Sequence, residues 1–114
     1  MPPVKNPLGL NTLQLKTLTL LQALADASHG MVDDATGDVV LDQLPHAHGD
    51  HFHVGDHVVS GRDASGLANR GVWLALERKG LARAVTFPHA IALTKSGREY
   101  DTGVGHSILH GHGH

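Results

Sequence analysis

The chain has 114 residues and a formal net charge of −2 at neutral pH, a size that suits one domain with a modest core. It contains no cysteine, which excludes disulfides, zinc–thiolate sites, iron–sulfur clusters and thiol catalysis by these residues. The 11 histidines outnumber the nine lysines and arginines, and no apolar run reaches the ~20 residues that a membrane helix requires. We therefore expect no membrane partner.

Charge is divided unevenly between the two halves of the sequence. Residues 1–61 contain two lysines and seven aspartates, for a net charge of −5, and residues 62–114 contain seven basic and four acidic residues, for a net charge of +3. An acidic, histidine-rich half favours cations, and a basic half favours an anion.

The first predicted element is a helix that begins after Asn11. Asn11 and Gln14 have the spacing of a capping box, and six leucines between residues 13 and 24 predict a helix that is buried over a wide arc. Ser28-His29-Gly30 predicts its end. Polar residues interrupt its apolar segment, which argues against a secretory signal, so we expect a cytoplasmic protein.

The segment 31–61 predicts short β-strands. Asp38–Leu41 is a short apolar run, and His51–Val54 and His57–Val59 alternate between polar and apolar residues. Gly55-Asp56 between the last two suits a tight two-residue hairpin with glycine at its first central position.

A second helix is predicted over about Ser65–Lys79, with Gly80 at its end. Leu67, Val72 and Leu74 belong to its apolar face, and the side expected to be exposed carries Asn69, Arg70, Trp73 and Glu77. A hairpin over Leu81–Phe87 and Ala90–Leu93 and a short helix from Thr94 to Tyr100 follow. The remaining residues are rich in glycine and histidine, so we expect a mobile tail.

Two stretches near the end of the second helix and after the hairpin resemble a known family. They are Leu76-Glu77-Arg78-Lys79-Gly80-Leu81 and Leu93-Thr94-Lys95-Ser96-Gly97-Arg98-Glu99. Over residues 64–100 the pattern is similar to the signature of winged-helix DNA-binding domains of bacterial regulators. The resemblance implies that the glycine ends the recognition helix, the hairpin is the wing and the threonine starts a closing helix. It departs at 31–61, where the family places the second helix of its helix-turn-helix.

We therefore predict an α/β (α+β) fold, a small winged-helix-like domain with an inserted β-hairpin. The domain covers residues 1–105, with the histidine-rich β segment at 31–61, and a flexible His/Gly tail covers 106–114. The resemblance implies double-stranded DNA as a partner, and we expect a homodimer. Residues implied to face the major groove are Arg62, Asn69, Arg70 and Trp73, and those implied to contact phosphates are Lys79, Arg83, His89 and Lys95.

Five histidines within twelve residues are candidate metal ligands: His46, His48, His51, His53 and His57. Imidazoles with nearby aspartates suit Zn²⁺ or Ni²⁺, with Co²⁺ or Cu²⁺ as further possibilities. On a strand, His51 and His53 project from one face about 6.7 Å apart, close enough to chelate one ion. His57 is too distant on a straight strand, and in a tight hairpin it lies on the opposite face. A closed site therefore needs His46, His48 or a ligand from another subunit.

The only reactive constellation in the sequence is the His/Asp cluster, which suits a hydrolytic metal with an open position, but nothing positions a substrate there. No serine lies in a nucleophile-elbow pattern, and no glycine-rich loop follows a strand and opens a helix, so we do not expect an enzyme. The predicted function is a metal-responsive DNA-binding transcriptional regulator. Two alternatives remain: a winged-helix protein-interaction or metal-carrying and buffering module without DNA binding, and histidines that sense pH instead of metal.

Overall fold

A computed structural model describes residues 6–27, 31–46 and 49–111. These residues form a mixed α+β fold with two small antiparallel sheets, which confirms the predicted fold class. In these ranges no helix combines the length and the apolar character that a membrane span needs. In chain order the elements are α1 (Thr12–Asp26), β1 (Met31–Val32), β2 (Val39–Leu41), β3 (His51–Val54), β4 (His57–Ser60), a 3₁₀ helix (Ser65–Ala68), α2 (Arg70–Arg78), β5 (Ala82–Thr86), β6 (Ala90–Leu93), α3 (Lys95–Glu99), α4 (Gly105–Ile108) and β7 (His110–Gly111).

The first helix, α1, begins with the predicted capping box. The Asn11 side chain accepts a hydrogen bond from the backbone N–H of Gln14 (2.8 Å), and the Gln14 side chain accepts one from the backbone N–H of Asn11 (3.0 Å). The helix ends at Asp26, and the predicted stop at 28–30 lies outside the described residues. The leucines that make α1 the centre of the core are Leu18, Leu20, Leu21 and Leu24.

The strands pair in the orders β1-β2-β6-β5 and β3-β4-β7. The inner face of the first sheet packs on α1 and buries Val39, Leu41, Ile91 and Leu93. The second sheet consists of the inserted hairpin and a C-terminal strand. The fold therefore places the histidine-rich hairpin outside the sheet that contains β5 and β6.

The predicted hairpin between β3 and β4 is confirmed. Gly55 occupies the first central position of its turn with φ +58°, a conformation that glycine adopts without steric cost. The register pairs Val54 with His57 and His53 with Val58. Directly opposed residues share a face of an antiparallel sheet, so Val54 and His57 lie on one face and His53 and Val58 on the other.

Residues 105–111 belong to the fold instead of extending as a tail. Ile108 in α4 is 2% exposed, and β7 pairs with β4 so that Val58 is opposite His110 and His57 is opposite Gly111. Burial of Ile108 offsets part of the entropy that ordering this segment costs. Residues 112–114, the end of the predicted tail, lie outside the described residues.

The second helix is shorter than predicted, and the prediction that Trp73 faces outward is wrong. A 3₁₀ helix precedes α2, which begins after Asn69, whose side-chain oxygen accepts a hydrogen bond from the N–H of Val72 (3.2 Å). The Trp73 side chain is buried, and its Nε1 donates to the carbonyl oxygen of Leu67 (3.1 Å). Leu74, predicted on the apolar face, is 46% exposed. The other residues of the predicted apolar face in α2, Val72, Ala75 and Leu76, are buried as expected, so the difference is confined to Trp73 and Leu74.

The end of α2 has the predicted glycine signal. Gly80 has φ +74°, and its N–H donates to the carbonyl oxygen of Glu77 (3.0 Å). The N–H of Leu81 donates to the carbonyl oxygen of Leu76 (2.9 Å), which completes a Schellman motif with an apolar contact between two buried leucines. This motif directs the chain from α2 into β5.

Residues of the two stretches that resemble the winged-helix signature contact one another where α3 begins. The Thr94 hydroxyl accepts a hydrogen bond from the N–H of Gly97 (3.0 Å) and donates to the carbonyl oxygen of Gly80 (2.8 Å). A Cβ on Gly97 would overlap the carbonyl oxygen of Leu81. The close approach of α3 to Leu81 therefore explains Gly97, the two hydrogen bonds explain Thr94, and the positive φ explains Gly80.

The Lys16–Asp63 ion pair connects α1 to the turn that precedes the 3₁₀ helix, with 2.7 Å between Nζ and Oδ1. Burial by itself raises the pKa of Asp63. Hydrogen bonds from Lys16 and Ser60, together with the charges of Lys16 and Arg62, outweigh that effect, so the pKa of Asp63 lies below its ordinary value. The carboxylate therefore stabilises the folded state above the unfolded pKa of about 3.9, and the contribution is lost as the pH falls through the folded pKa.

We expect Asp63→Asn to lower the free energy of unfolding at pH 7 by about 1 kcal/mol, because it removes the charge that pairs with Lys16. The difference from the wild type should shrink as the pH falls through the lowered pKa of Asp63, because the wild-type carboxyl group then becomes protonated. Urea denaturation at pH 7 and at a series of acidic pH values measures it. A difference independent of pH would contradict an electrostatic origin.

Candidate functional site

His51 and His53 lie side by side on the outer face of the second sheet. Strand alternation places both side chains on the same face of β3, and their ring centroids are 5.0 Å apart with an interplanar angle of 84°. The Asp50 carboxylate lies beside His51, with 3.6 Å between its Oδ1 and Nδ1 of His51. Two neighbouring imidazoles with an adjacent carboxylate have the chemistry of a transition-metal site, since a carboxylate near a ligating histidine orients the ring.

The other predicted ligands lie elsewhere. His57 is on the opposite face of the hairpin, as in the tight-turn alternative, and lines a cavity of about 360 Å³ together with Asp26 and Asp56. His46 lines a different cavity, and His48 lies outside the described residues. Within 6–27, 31–46 and 49–111, no three His, Asp or Glu side chains are close enough together to ligate one ion.

The cavity beside His46 has a volume of about 690 Å³ and lies between the loop after β2, the 3₁₀ helix and the β5–β6 turn. Leu67 and Pro88 contribute apolar surface to it, and Phe52 reaches it from the inner face of β3. His46 therefore lies on the side of the hairpin opposite to His51 and His53. His89 in the β5–β6 turn and Phe52 of the hairpin both line this cavity, so the cavity lies between His89 and the hairpin.

The predicted DNA-contacting residues occupy several parts of the second half of the chain. The Arg70 guanidinium lies 4.5 Å from the centroid of the Phe87 ring, which places it between the start of α2 and the end of β5. Exposed positions also include Arg62 before the 3₁₀ helix, Lys79 after α2, His89 in the β5–β6 turn and Lys95 at the start of α3. Asn69 is exposed, but its oxygen is used by the helix cap.

Arg83 lies on the outer face of the first sheet, at the base of the β5–β6 hairpin. The register aligns Arg83, Ala92 and Val40 across three strands, so these residues share that face. Because Ala92 is small, the Arg83 side chain extends towards Asp38, with 3.5 Å between Nη2 and Oδ2. Ala92 is fully buried although it faces away from α1. A DNA contact by Arg83 would compete with this ion pair.

Two features of these surfaces were missed by sequence reasoning. Leu74 and Val85 are 46% and 48% exposed, on the adjacent elements α2 and β5. His110 lies on the outer face of the second sheet because Val58 is opposite both His53 and His110. The apolar pair Ile108-Leu109 inside the predicted tail is the sequence signal that could have indicated the position of His110. Apolar residues there suggest that this segment packs against the core, as the buried Ile108 does.

Comparison with known proteins adds no relative to this description. Neither a protein-family model, a curated protein nor a solved structure matches the chain.

Proposed function

We propose that this protein is a metal-responsive DNA-binding regulator, in which the β3–β4 hairpin binds a divalent transition metal and the α2 region binds DNA. The observation that carries the proposal is the pair of imidazoles of His51 and His53, 5.0 Å apart on one strand face. Zn²⁺ or Ni²⁺ fits this ligand type best, and Co²⁺ or Cu²⁺ is chemically similar.

Three features of the second half support DNA as the partner. α2 is followed directly by the β5–β6 hairpin and then by α3, the order that the winged-helix resemblance implies. Contacts among Gly80, Thr94 and Gly97 give the signature a structural role. Arg70, Lys79 and Lys95 are exposed and have no carboxylate partner in the part of the chain that the structure describes. Free cationic side chains are the groups that bind phosphates.

The hairpin is connected to α2 through a short, hydrogen-bonded turn. The N–H of Gly61 donates to the carbonyl oxygen of Asp50 (2.7 Å), which joins the two ends of the hairpin, and the N–H of Ala64 donates to the carbonyl oxygen of Ser60 (3.1 Å). Ala64 directly precedes the 3₁₀ helix. A metal that orders the hairpin therefore favours one orientation of the segment leading to α2, and a ligand shifts an equilibrium by its differential affinity for the two states.

The test measures binding of fluorescent double-stranded DNA, selected from a random pool, with chelator-stripped and with Zn²⁺-loaded protein. We expect tighter DNA binding with metal and a steep decrease with salt. Arg70→Ala should weaken DNA binding roughly tenfold or more, because a charged contact is lost, and should leave metal affinity unchanged. The matched control is Arg98→Ala, which removes the same charge from α3, where the guanidinium donates to the carbonyl oxygen of Gly37.

Equal DNA affinity of Arg70→Ala and Arg98→Ala would contradict the proposed DNA surface. DNA binding that is the same with and without metal would contradict the metal response but not the DNA binding. The protein would then be a DNA-binding regulator that does not respond to metal.

Exposed Leu74 and Val85 favour a second candidate function, a protein-interaction or metal-carrying module without DNA binding. Apolar side chains on neighbouring elements suit a protein partner better than a phosphate backbone. Absence of DNA binding in both metal states, together with tight metal binding, would support this alternative.

A further inference from the structure

We infer that the C-terminal strand contributes His110 as a third ligand to the metal site of His51 and His53. This inference rests on the proposed metal-binding function and goes beyond it, because the metal would join the hairpin to the C-terminal segment. We call this link, a metal held by His51, His53 and His110, the clasp.

The register of the second sheet places the three histidines on one face. Val58 in β4 is opposite His53 on one side and His110 on the other. Opposed residues in antiparallel strands project to the same side, and His51 joins them because it lies two residues before His53 on β3. The face turned away from the core therefore carries two imidazoles on β3 and one on β7.

The spacing across the sheet allows one ion to be shared. Neighbouring strands are about 4.8 Å apart, so His53 and His110 are separated by about 9.6 Å at the backbone. Two histidine side chains that incline towards each other above Val58 span this distance with a metal between them, since each metal–nitrogen bond is about 2.0–2.1 Å. Val58, which lies between them on this face, is half-buried and has a small side chain.

The side chains as they stand do not form a closed site, since no group of three ligands converges within the described ranges. His110 is exposed at the edge of the sheet, so its ring turns without displacing a packed neighbour. The structure accordingly corresponds to an open arrangement in which two ligands are adjacent and the third lies on the far side of β4.

The consequence is a metal-dependent attachment of the chain end. β7 is two residues long and pairs only with β4 among the described strands, so few hydrogen bonds keep it in place. A metal bound by His53 and His110 would join residues that are 57 positions apart in sequence and stabilise that pairing. Metal binding would then be linked to ordering of the segment from α4 to β7.

The test compares Zn²⁺ binding to the full chain and to two single variants by calorimetric titration of chelator-stripped protein. We expect His110→Ala to weaken Zn²⁺ binding roughly tenfold or more, since even the loss of groups that only orient metal ligands costs about that much. The matched control is His106→Ala, an exposed histidine of α4 that is not on the sheet, and we expect it to bind like the wild type.

A second measurement follows the chain end directly. Hydrogen exchange of the full chain should show slower exchange of the amides of residues 109–111 when Zn²⁺ is added, by about tenfold or more, and this protection should be absent in His110→Ala.

The outcomes distinguish the inference from the function on which it rests. Tight Zn²⁺ binding that is the same in the wild type and in His110→Ala, with no protection of β7, would overturn the clasp and leave the hairpin site intact. Equal weakening by His110→Ala and His106→Ala would also overturn it, because binding would then follow the number of histidines. No binding below about 1 mM by the wild type would overturn both the clasp and the proposed metal function.

Discussion

Gly97→Ala is expected to lower the free energy of unfolding by about 3 kcal/mol or more, a large effect for the addition of one methyl group. The new Cβ would overlap the carbonyl oxygen of Leu81 and would lie 2.7 Å from Cδ1 of Leu93. Neither group can move away easily. The Leu81 carbonyl accepts the N–H of Thr94 (3.2 Å), and Leu93 is fully buried in the core.

The measurement is thermal and urea denaturation of Gly97→Ala beside Gly105→Ala. Gly105 is the matched control, because a Cβ there would meet Thr19 and Leu109 at ordinary distances of 3.7 and 4.0 Å. We expect the melting temperature of Gly97→Ala to fall by roughly 10 °C or more and that of Gly105→Ala to stay within a few degrees. Equal effects of the two substitutions would show that the close approach of α3 to Leu81 is not the reason for glycine at 97.

Simultaneous replacement of His51 and His53 by alanine is expected to have the largest effect on metal binding. The two rings are adjacent on one strand face, so the double variant removes a chelating pair and leaves at most isolated imidazoles. We expect the affinity for Zn²⁺ to fall by about 100-fold or more. Calorimetric titration of the chelator-stripped protein measures the affinity and the number of ions bound for each chain.

The matched control for that experiment is the double replacement of His46 and His57. These two histidines come from the same sequence cluster, but His57 lies on the opposite face of the hairpin and His46 lines the cavity on that side. We expect this variant to retain Zn²⁺ affinity within a factor of a few. If both double variants lose affinity equally, metal binding depends on the local density of histidines, and the shared face of β3 has no special role.

The candidate site could be predicted from the sequence only in part. The pairing of His51 with His53 follows from the two-residue periodicity of a strand, which is local and needs no tertiary information. The position of His57 depended on whether Gly55-Asp56 turns, and the observed φ of +58° at Gly55 decides it. His110 was not predictable in the same way, because its position depends on a pairing between residues more than fifty positions apart.

Trp73 illustrates why the prediction of exposed residues on α2 was partly wrong. The predicted helix from Ser65 carries Trp73 on its polar side, but the observed α2 begins after Asn69 and buries Trp73. Trp73 packs edge-to-face on Phe87, with 4.7 Å between ring centroids. Phe87 in turn lies beneath the guanidinium of the exposed Arg70. Trp73, which was expected to contact DNA itself, therefore supports Arg70 through Phe87.

What the sequence by itself determined is the set of local elements. The capping box of α1, the Gly55 turn, the Gly80 stop and the Thr94 cap each depend on residues within a few positions of one another, so their physics is contained in the sequence. Only the tertiary structure decided which faces and chain ends meet. The burial of Trp73 and the strand that brings His110 beside Val58 arise from packing between distant segments, whose energy no local pattern contains.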